Sequence, residues 1–298
     1  MMRRKFIHRF VSKLAYIGWL VFLPDKQYLS IMYWARMTKC IDWNSPKSFN
    51  EKIQWLKLYD RKTYYTALVD KSQVKDFVVK KIGRQYVIPT LGVYDSFNEI
   101  DFNVLPNKFV MKCTHDSGGV IVVNEKKHIN YKDIKAFFKK NLKRNYYTYS
   151  REWPYKNVKP RILIEECLEG DTEEILDYKF MCFNGKVKCS FVCTDRFDRD
   201  GLKVTFFDRE WNVLPFERHY KKSQEIISKP RNYDKMIDLA EELSMGIPFV
   251  RVDFYNIDGY IYFGEMTFYP GSGYEEFTPE EWDITLGEWI TLPTYERI

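Results

Sequence analysis

The chain has 298 residues, 45% hydrophobic and 30% charged, which is the profile of a globular protein with a sizeable core and not of a disordered or fibrous one. Its net charge of +6 suits anionic partners, but 41 acidic residues interleaved among 47 basic ones argue against a dedicated nucleic-acid binder. Six cysteines without C-x-x-C spacing indicate neither a zinc site nor a disulfide framework and fit reduced, cytoplasmic thiols.

The N-terminus opens Met1-Met2-Arg3-Arg4-Lys5 and continues as an apolar run to Leu23, interrupted at Ser12 and Lys13. Its uninterrupted part is too short to span a bilayer, and no A-x-A-like cleavage site follows. A basic, Trp-containing helix over 1–23 has two readings: an amphipathic helix on the inner, anionic face of a membrane, or a helix packed on the domain. From Pro24 to Gly83 the pattern is helical. Ser48 and Glu51 stand at capping-box spacing ahead of Ile53, Trp55, Leu56 and Leu58. A further helix is expected over 64–81, where Leu68, Val69, Val74, Phe77 and Val78 recur every three or four residues.

Strand patterns follow. Residues 86–94 and 108–113 are rich in β-branched and aromatic side chains, and Thr114-His115-Asp116-Ser117-Gly118-Gly119 leads into a third strand over 120–123. Strand, small flexible loop, strand is the pattern of a flap. A basic amphipathic helix is expected over 133–142, then an irregular, Tyr-rich stretch over 143–160. Strands over 161–168, 177–184 and 187–194 come next, with Asn184-Gly185 as hairpin turn. A strand pair over 205–216 and a helix over 233–245 complete an α+β order, helices first and a strand-rich body after.

Two alternating runs, 249–255 and 260–267, then flank Asn256-Ile257-Asp258-Gly259 and predict a β-hairpin. Arg251 and Asp253 share one face of the first run, Glu265 and Thr267 one face of the second. Such charges form either a polar, solvent-facing side or a site where Asp253 and Glu265 share divalent metal ions, since Mg²⁺ takes carboxylate and phosphate oxygens. In the second reading the Pro270-Gly271-Ser272-Gly273 turn presents backbone N–H groups to an anion.

Four upstream features bear on the choice. Lys112 sits on the apolar strand Phe109-Val110-Met111-Lys112-Cys113, and a half-buried lysine calls for an anion such as phosphate. The glycine loop after it lets backbone N–H groups approach that anion. Ile164-Glu165-Glu166-Cys167-Leu168 is an apolar strand ending in acids, suited to an adenine edge, and Lys179 is a second strand lysine.

In this order, lysine strand, glycine loop, acidic strand end, second lysine, Arg-x-Asp strand, Glu-x-Thr strand and Pro-Gly turn, the chain resembles the ATP-grasp superfamily. The match is closest to its TupA-like branch, of the teichuronopeptide-biosynthesis type. It is carried by Ser48-Phe49-Asn50-Glu51-Lys52, Lys112 to Gly119, Arg151-Glu152-Trp153-Pro154-Tyr155, Asp177-Tyr178-Lys179-Phe180 and Gly264 to Gly273. The resemblance implies two α+β subdomains clasping ATP, a helical N-terminal region over 1–83, and an ATP-grasp domain over 84–298 with its lid at about 108–168. It implies Lys112 and Lys179 at the ATP phosphates, Ser117, Gly118 and Gly119 in the lid, and Glu165, Glu166, Cys167 and Leu168 at the adenine. Asp253 and Glu265 would ligate Mg²⁺. Thr267 stands where many ATP-grasp ligases place Asn as third ligand, and Arg251 would stabilise the acyl phosphate or tetrahedral intermediate.

The implied reaction is carboxylate–amine ligation through an acyl phosphate, with an amino acid or small amine joined to a uronic-acid-containing surface or capsular glycan or its precursor. The aromatic and basic stretch 146–159 is the expected acceptor surface. A metal-dependent glycosyltransferase using Asp198-Arg199-Asp200 is the competing expectation.

Overall fold

The computed structural model describes residues 11–14, 18–116, 118–169, 175–195 and 201–294. Ser117, the Asp198-Arg199-Asp200 triplet and most of the basic N-terminus lie outside the described residues.

The chain enters through helices α1 (Asp25–Met37), α2 (Phe49–Tyr59), α3 (Tyr65–Val69) and α4 (Val74–Lys81). At α2 the Ser48 side chain accepts from the Glu51 N–H while the Glu51 carboxylate accepts from the Ser48 N–H, closing the expected capping box. The single helix expected over 64–81 is instead two. Asp70 is extended, and its carboxylate accepts from the N–H groups of Ser72 and Gln73 at 2.8 and 3.2 Å, so the backbone stops and restarts there.

A small antiparallel sheet of order β1-β4-β2-β3 comprises β1 (Thr90–Tyr94), β2 (Phe109–Cys113), β3 (Val120–Val123) and β4 (Ile162–Glu166). β1 is shorter than expected, because Arg84–Tyr86 forms a 3₁₀ turn and Pro89 lacks the N–H that a strand needs. Phe109, Met111, Cys113, Ile162 and Ile164 build a core with Phe138 of α5 (Tyr131–Asn141). Since strand side chains alternate, Lys112 and Glu165 are left on the opposite face.

The large antiparallel sheet has the order β10-β9-β5-β6-β7, from β5 (Asp177–Phe183), β6 (Lys186–Thr194), β7 (Lys203–Phe207), β9 (Phe249–Ile257) and β10 (Tyr260–Thr267); the short β8 (Glu217–Arg218) pairs with β11 (Phe277–Thr278). One face packs on helix α6 (Tyr233–Ser244), with Phe180 and Tyr233 rings 5.6 Å apart. The N-terminal helices join the same core. Phe49 meets the Phe249 ring at 5.0 Å, and Tyr65 meets Phe268 at 4.4 Å. Residues 49–78 therefore share their core with the large sheet, as does Val158, while residues 100–138 with Ile162 and Ile164 build the separate core of the small one.

β9 runs two residues further than expected, and the hairpin turn is Asp258-Gly259, with φ of 53° and 92°. Left-handed residues at both positions match the twist of the strands they join. A bulge between Phe263 and Glu265 shifts the register. It falls at Gly264, where an added Cβ would stand 3.2 Å from the Asp253 carbonyl, and it sets Glu265 directly opposite Asp253. Among the described residues no helix is long and apolar enough to cross a membrane, and the six cysteines are free thiols.

Candidate active site

Register turns separate sequence motifs into one row. Lys179 of β5 pairs with Asp253 of β9, and Asp253 pairs with Glu265 of β10; one step along, Met181, Arg251 and Thr267 form the next row on the same face. Arg251 donates to both oxygens of Asp253, at 2.7 Å each, and to Glu265 at 2.9 Å. Lys179 reaches Asp253 at 2.7 Å and also pairs with Asp177, two residues upstream on its own strand. Thr267 donates its hydroxyl to Glu265 at 3.1 Å.

Asp253 is buried, whereas Arg251 and Glu265 are half-buried. Burial opposes charge on both Asp253 and Lys179. The attraction of Arg251 and then Lys179 nevertheless holds the Asp253 carboxyl below its usual range, and Asp253 holds the Lys179 ammonium above its own. The charged face of the hairpin is thus an ionic network, buried at Asp253 and open to solvent at Glu265.

A second network lines the facing sheet. Glu165 sits between Lys75 of α4 at 2.5 Å and Lys112 at 2.6 Å. Lys75 further donates to the Ile88 carbonyl and the Thr90 hydroxyl, so its three N–H groups are engaged. Burial pushes the Glu165 carboxyl up, but Lys112 and Lys75 outweigh it and hold it low. A narrow cleft lined by Lys71, Lys75, Ile88, Lys112, Glu165 and Gly264 brings this network against β10. Tyr255, on the Asp253 face, lies within electrostatic reach of Glu165 as well as of Asp177, Glu265 and Asp253, and joins the two networks.

In the glycine loop, Gly118 is exposed with φ of 89°, while Gly119 is buried and an added Cβ would stand 2.6 Å from the Asp116 carboxylate. Lys71 anchors the loop base by donating to the Asp116 carbonyl at 2.6 Å. Past Glu165 the strand ends with Glu166 exposed and Cys167 and Leu168 half-buried.

The expected acceptor surface over 146–159 is corrected in part. Arg151 is 4% exposed, stacks on Tyr28 at 4.3 Å and donates to the Val21 carbonyl at 2.8 Å. It ties the N-terminal segment to the body and offers no guanidinium to a substrate carboxylate. Two members of the site carried no role in the sequence, Lys75 and Asp177. The period-two spacing of Asp177 to Lys179 was the available signal for the second; for the first it was only the likeness of the stretch from Asp70-Lys71 to Val74-Lys75 to the helix that leads into many ATP-grasp domains.

Asp253 and Glu265 provide hard carboxylate oxygens, and two carboxylates are what Mg²⁺ usually takes when phosphate oxygens and water complete its shell. Among the described residues no group of three or more His, Cys, Asp or Glu could hold a metal. Two carboxylates fit a Mg²⁺ whose remaining ligands are phosphate oxygens and water.

A family model described as TupA-like ATPgrasp matches residues 51–291. Similar solved structures include the ATP-grasp ligase PsnB complexed with minimal precursor, at 13% identity over 70% of this chain and 55% of that one with a TM-score of 0.40. The D-alanine–D-alanine ligase from Bacillus anthracis complexed with ATP matches at 13% identity over 67% and 53%, with a TM-score of 0.39. The corresponding ligase from Helicobacter pylori matches at 16% over 70% and 53%, with a TM-score of 0.38. The chain spans little more than half the length of these structures. No protein of curated function matches it.

Proposed function

Because the chain belongs to the TupA-like ATP-grasp family, we propose that it is an ATP- and Mg²⁺-dependent ligase joining a carboxylate to an amine through an acyl phosphate. The observation that carries this reading is the cross-strand row Lys179, Asp253, Glu265, with Arg251 beside it and the Lys112–Glu165–Lys75 network across the cleft.

In this reading Lys112 and Lys179 bind the nucleotide phosphates, and Gly118 and Gly119 close over them in a lid of about 108–168. Residues 165–168 receive the adenine. Asp253 and Glu265, with Thr267 beside Glu265, hold Mg²⁺, which neutralises phosphate charge when bound. Arg251 is placed to stabilise the charge that develops on the acyl phosphate and tetrahedral intermediate, a role that needs position more than nucleophilicity. The present ion pairs of Lys179 and Arg251 with Asp253 keep these cations oriented for an incoming anion.

For the substrates, the family resemblance favours an amino acid or small amine joined to an acidic sugar of a surface polysaccharide or its precursor. The site of action would be the cytoplasm, with contact at the inner membrane face through the N-terminal segment. Trp19 and Phe22, 69% and 78% exposed, support such a contact.

Replacing Lys112 by Met tests the nucleotide assignment. The Kd for a fluorescent ATP analogue is expected to rise about tenfold or more, the equivalent of roughly 1.4 kcal/mol. The same change at Lys127, on the exposed surface, is expected to leave it unaltered. Equal affinity in wild type and Lys112→Met would remove Lys112 from the phosphate site.

A further inference from the structure

A buried polar cluster adjoins this site and is not used by the nucleotide. Glu152 is 3% exposed and its Oε1 has no hydrogen-bond partner, although the carboxylate does bond the Ser272 side chain. Gln54 of α2 is also buried with its Oε1 unpartnered, while its Nε2 donates to the Ser272 and Gly273 carbonyls at 2.9 and 2.8 Å. Two acceptor oxygens thus lack donors where an unmet buried acceptor costs about 1–3 kcal/mol. Lys57 does not fill the need. Its three N–H groups go to the Ser150 carbonyl at 3.0 Å, the Ser272 carbonyl at 2.8 Å and the Ser272 hydroxyl at 2.7 Å. It balances the charge of Glu152 through space only.

Tyrosines surround the cluster, and two of them already face cations of the chain, Lys57 over Tyr269 and Tyr274 at 5.9 and 5.0 Å and Arg36 over Tyr274 at 4.9 Å. Tyr146, Tyr155, Tyr269 and Tyr274 all lie within electrostatic reach of Glu152. Tyr146 and Tyr155 have ring centroids 5.1 Å apart and both also feel Glu265, Tyr155 feeling Arg251 too. This pair is half-buried and within electrostatic reach of both Glu152 and Glu265, and tyrosine faces attract ammonium groups.

We propose that the amine substrate enters as an ammonium ion over Tyr146 and Tyr155, donates a hydrogen bond to Glu152 Oε1, and passes that oxygen a proton as it attacks. The inference rests on the ligase reading above. The nitrogen lone pair so freed forms the C–N bond to the acyl carbon, and the C–O bond to phosphate breaks. Phosphate leaves with that electron pair and takes the second amine proton, and Glu152 later returns its own proton to water. Burial raises the proton affinity of Glu152, with Lys57 and then Ser272 opposing, which suits a group that must accept a proton from an ammonium.

The test is melting-temperature and affinity measurement on the full chain with a non-hydrolysable ATP analogue and Mg²⁺. The common amino acids, ethanolamine and putrescine serve as probes. At least one amine is expected to stabilise the wild type, with its Kd raised about tenfold or more in Glu152→Gln while affinity for the ATP analogue is unchanged. Should Glu152→Gln lower the ligand-free melting temperature, Glu152→Asp decides, with weakened amine binding supporting the proposal and unchanged amine binding overturning it. An amine that binds both proteins alike overturns the assignment, as does a wild type that binds nucleotide but none of the amines. Failure of the nucleotide to bind either protein removes the ligase reading and this inference with it.

Discussion

Replacing Asp253 by Asn is expected to lower stability by about 3 kcal/mol, read from the denaturant midpoint, and to abolish phosphate release from ATP. The first effect follows from charge. Arg251 and Lys179 both converge on the Asp253 carboxylate, and removing one member of a buried ion pair costs about 3–5 kcal/mol. The lower end applies because Arg251 keeps Glu265 and Lys179 keeps Asp177. Acid titration supplies a second readout. A carboxyl whose folded pKa is depressed contributes stability above its unfolded pKa, about 4, and loses it as pH falls through the lower folded value. The wild type should therefore lose more stability than Asp253→Asn as the pH is lowered below about 4. Parallel acid profiles would show that the carboxylate is not held by its two cations.

The Glu265→Gln variant is expected to keep its fold and lose its chemistry. Its side chain is 41% exposed, so the pairs it makes with Arg251 and Thr267 contribute little to stability. Removing an anionic oxygen from the candidate metal site should cut amine-dependent phosphate release about 100-fold or more, corresponding to several kcal/mol of transition-state stabilisation. Binding of the ATP analogue without Mg²⁺ should change little. Turnover equal to wild type would displace the metal from these carboxylates.

Much of this arrangement is legible in the sequence because it depends on local rules. The strands of the flap, the capping box at Ser48 and the two glycine turns follow from alternation and from residues that tolerate left-handed backbone. What stays hidden depends on tertiary neighbours. The break at Asp70 interrupts a helical apolar pattern that continues on both sides, and it arises from side-chain bonds to the backbone that periodicity does not register. Lys75 becomes part of the site only because α4 lies against β4, and Arg151 leaves the acceptor surface because Tyr28 and the Val21 carbonyl receive it. Glu152 likewise carries no local mark of its burial beside Ser272. The bulge at Gly264 is the subtlest case, since one inserted residue decides that Glu265 faces Asp253.

The most direct test of the central claim is phosphate release from ATP and Mg²⁺ across a matrix of amino acids and uronic-acid acceptors, with Glu265→Gln alongside. The predicted result is ADP and phosphate formed only when a carboxylate and an amine are both present, matched by one amide per phosphate and lost in the variant. Release of a nucleoside diphosphate from a sugar nucleotide without ATP, persisting in Asp253→Asn, would contradict it and restore the glycosyltransferase reading.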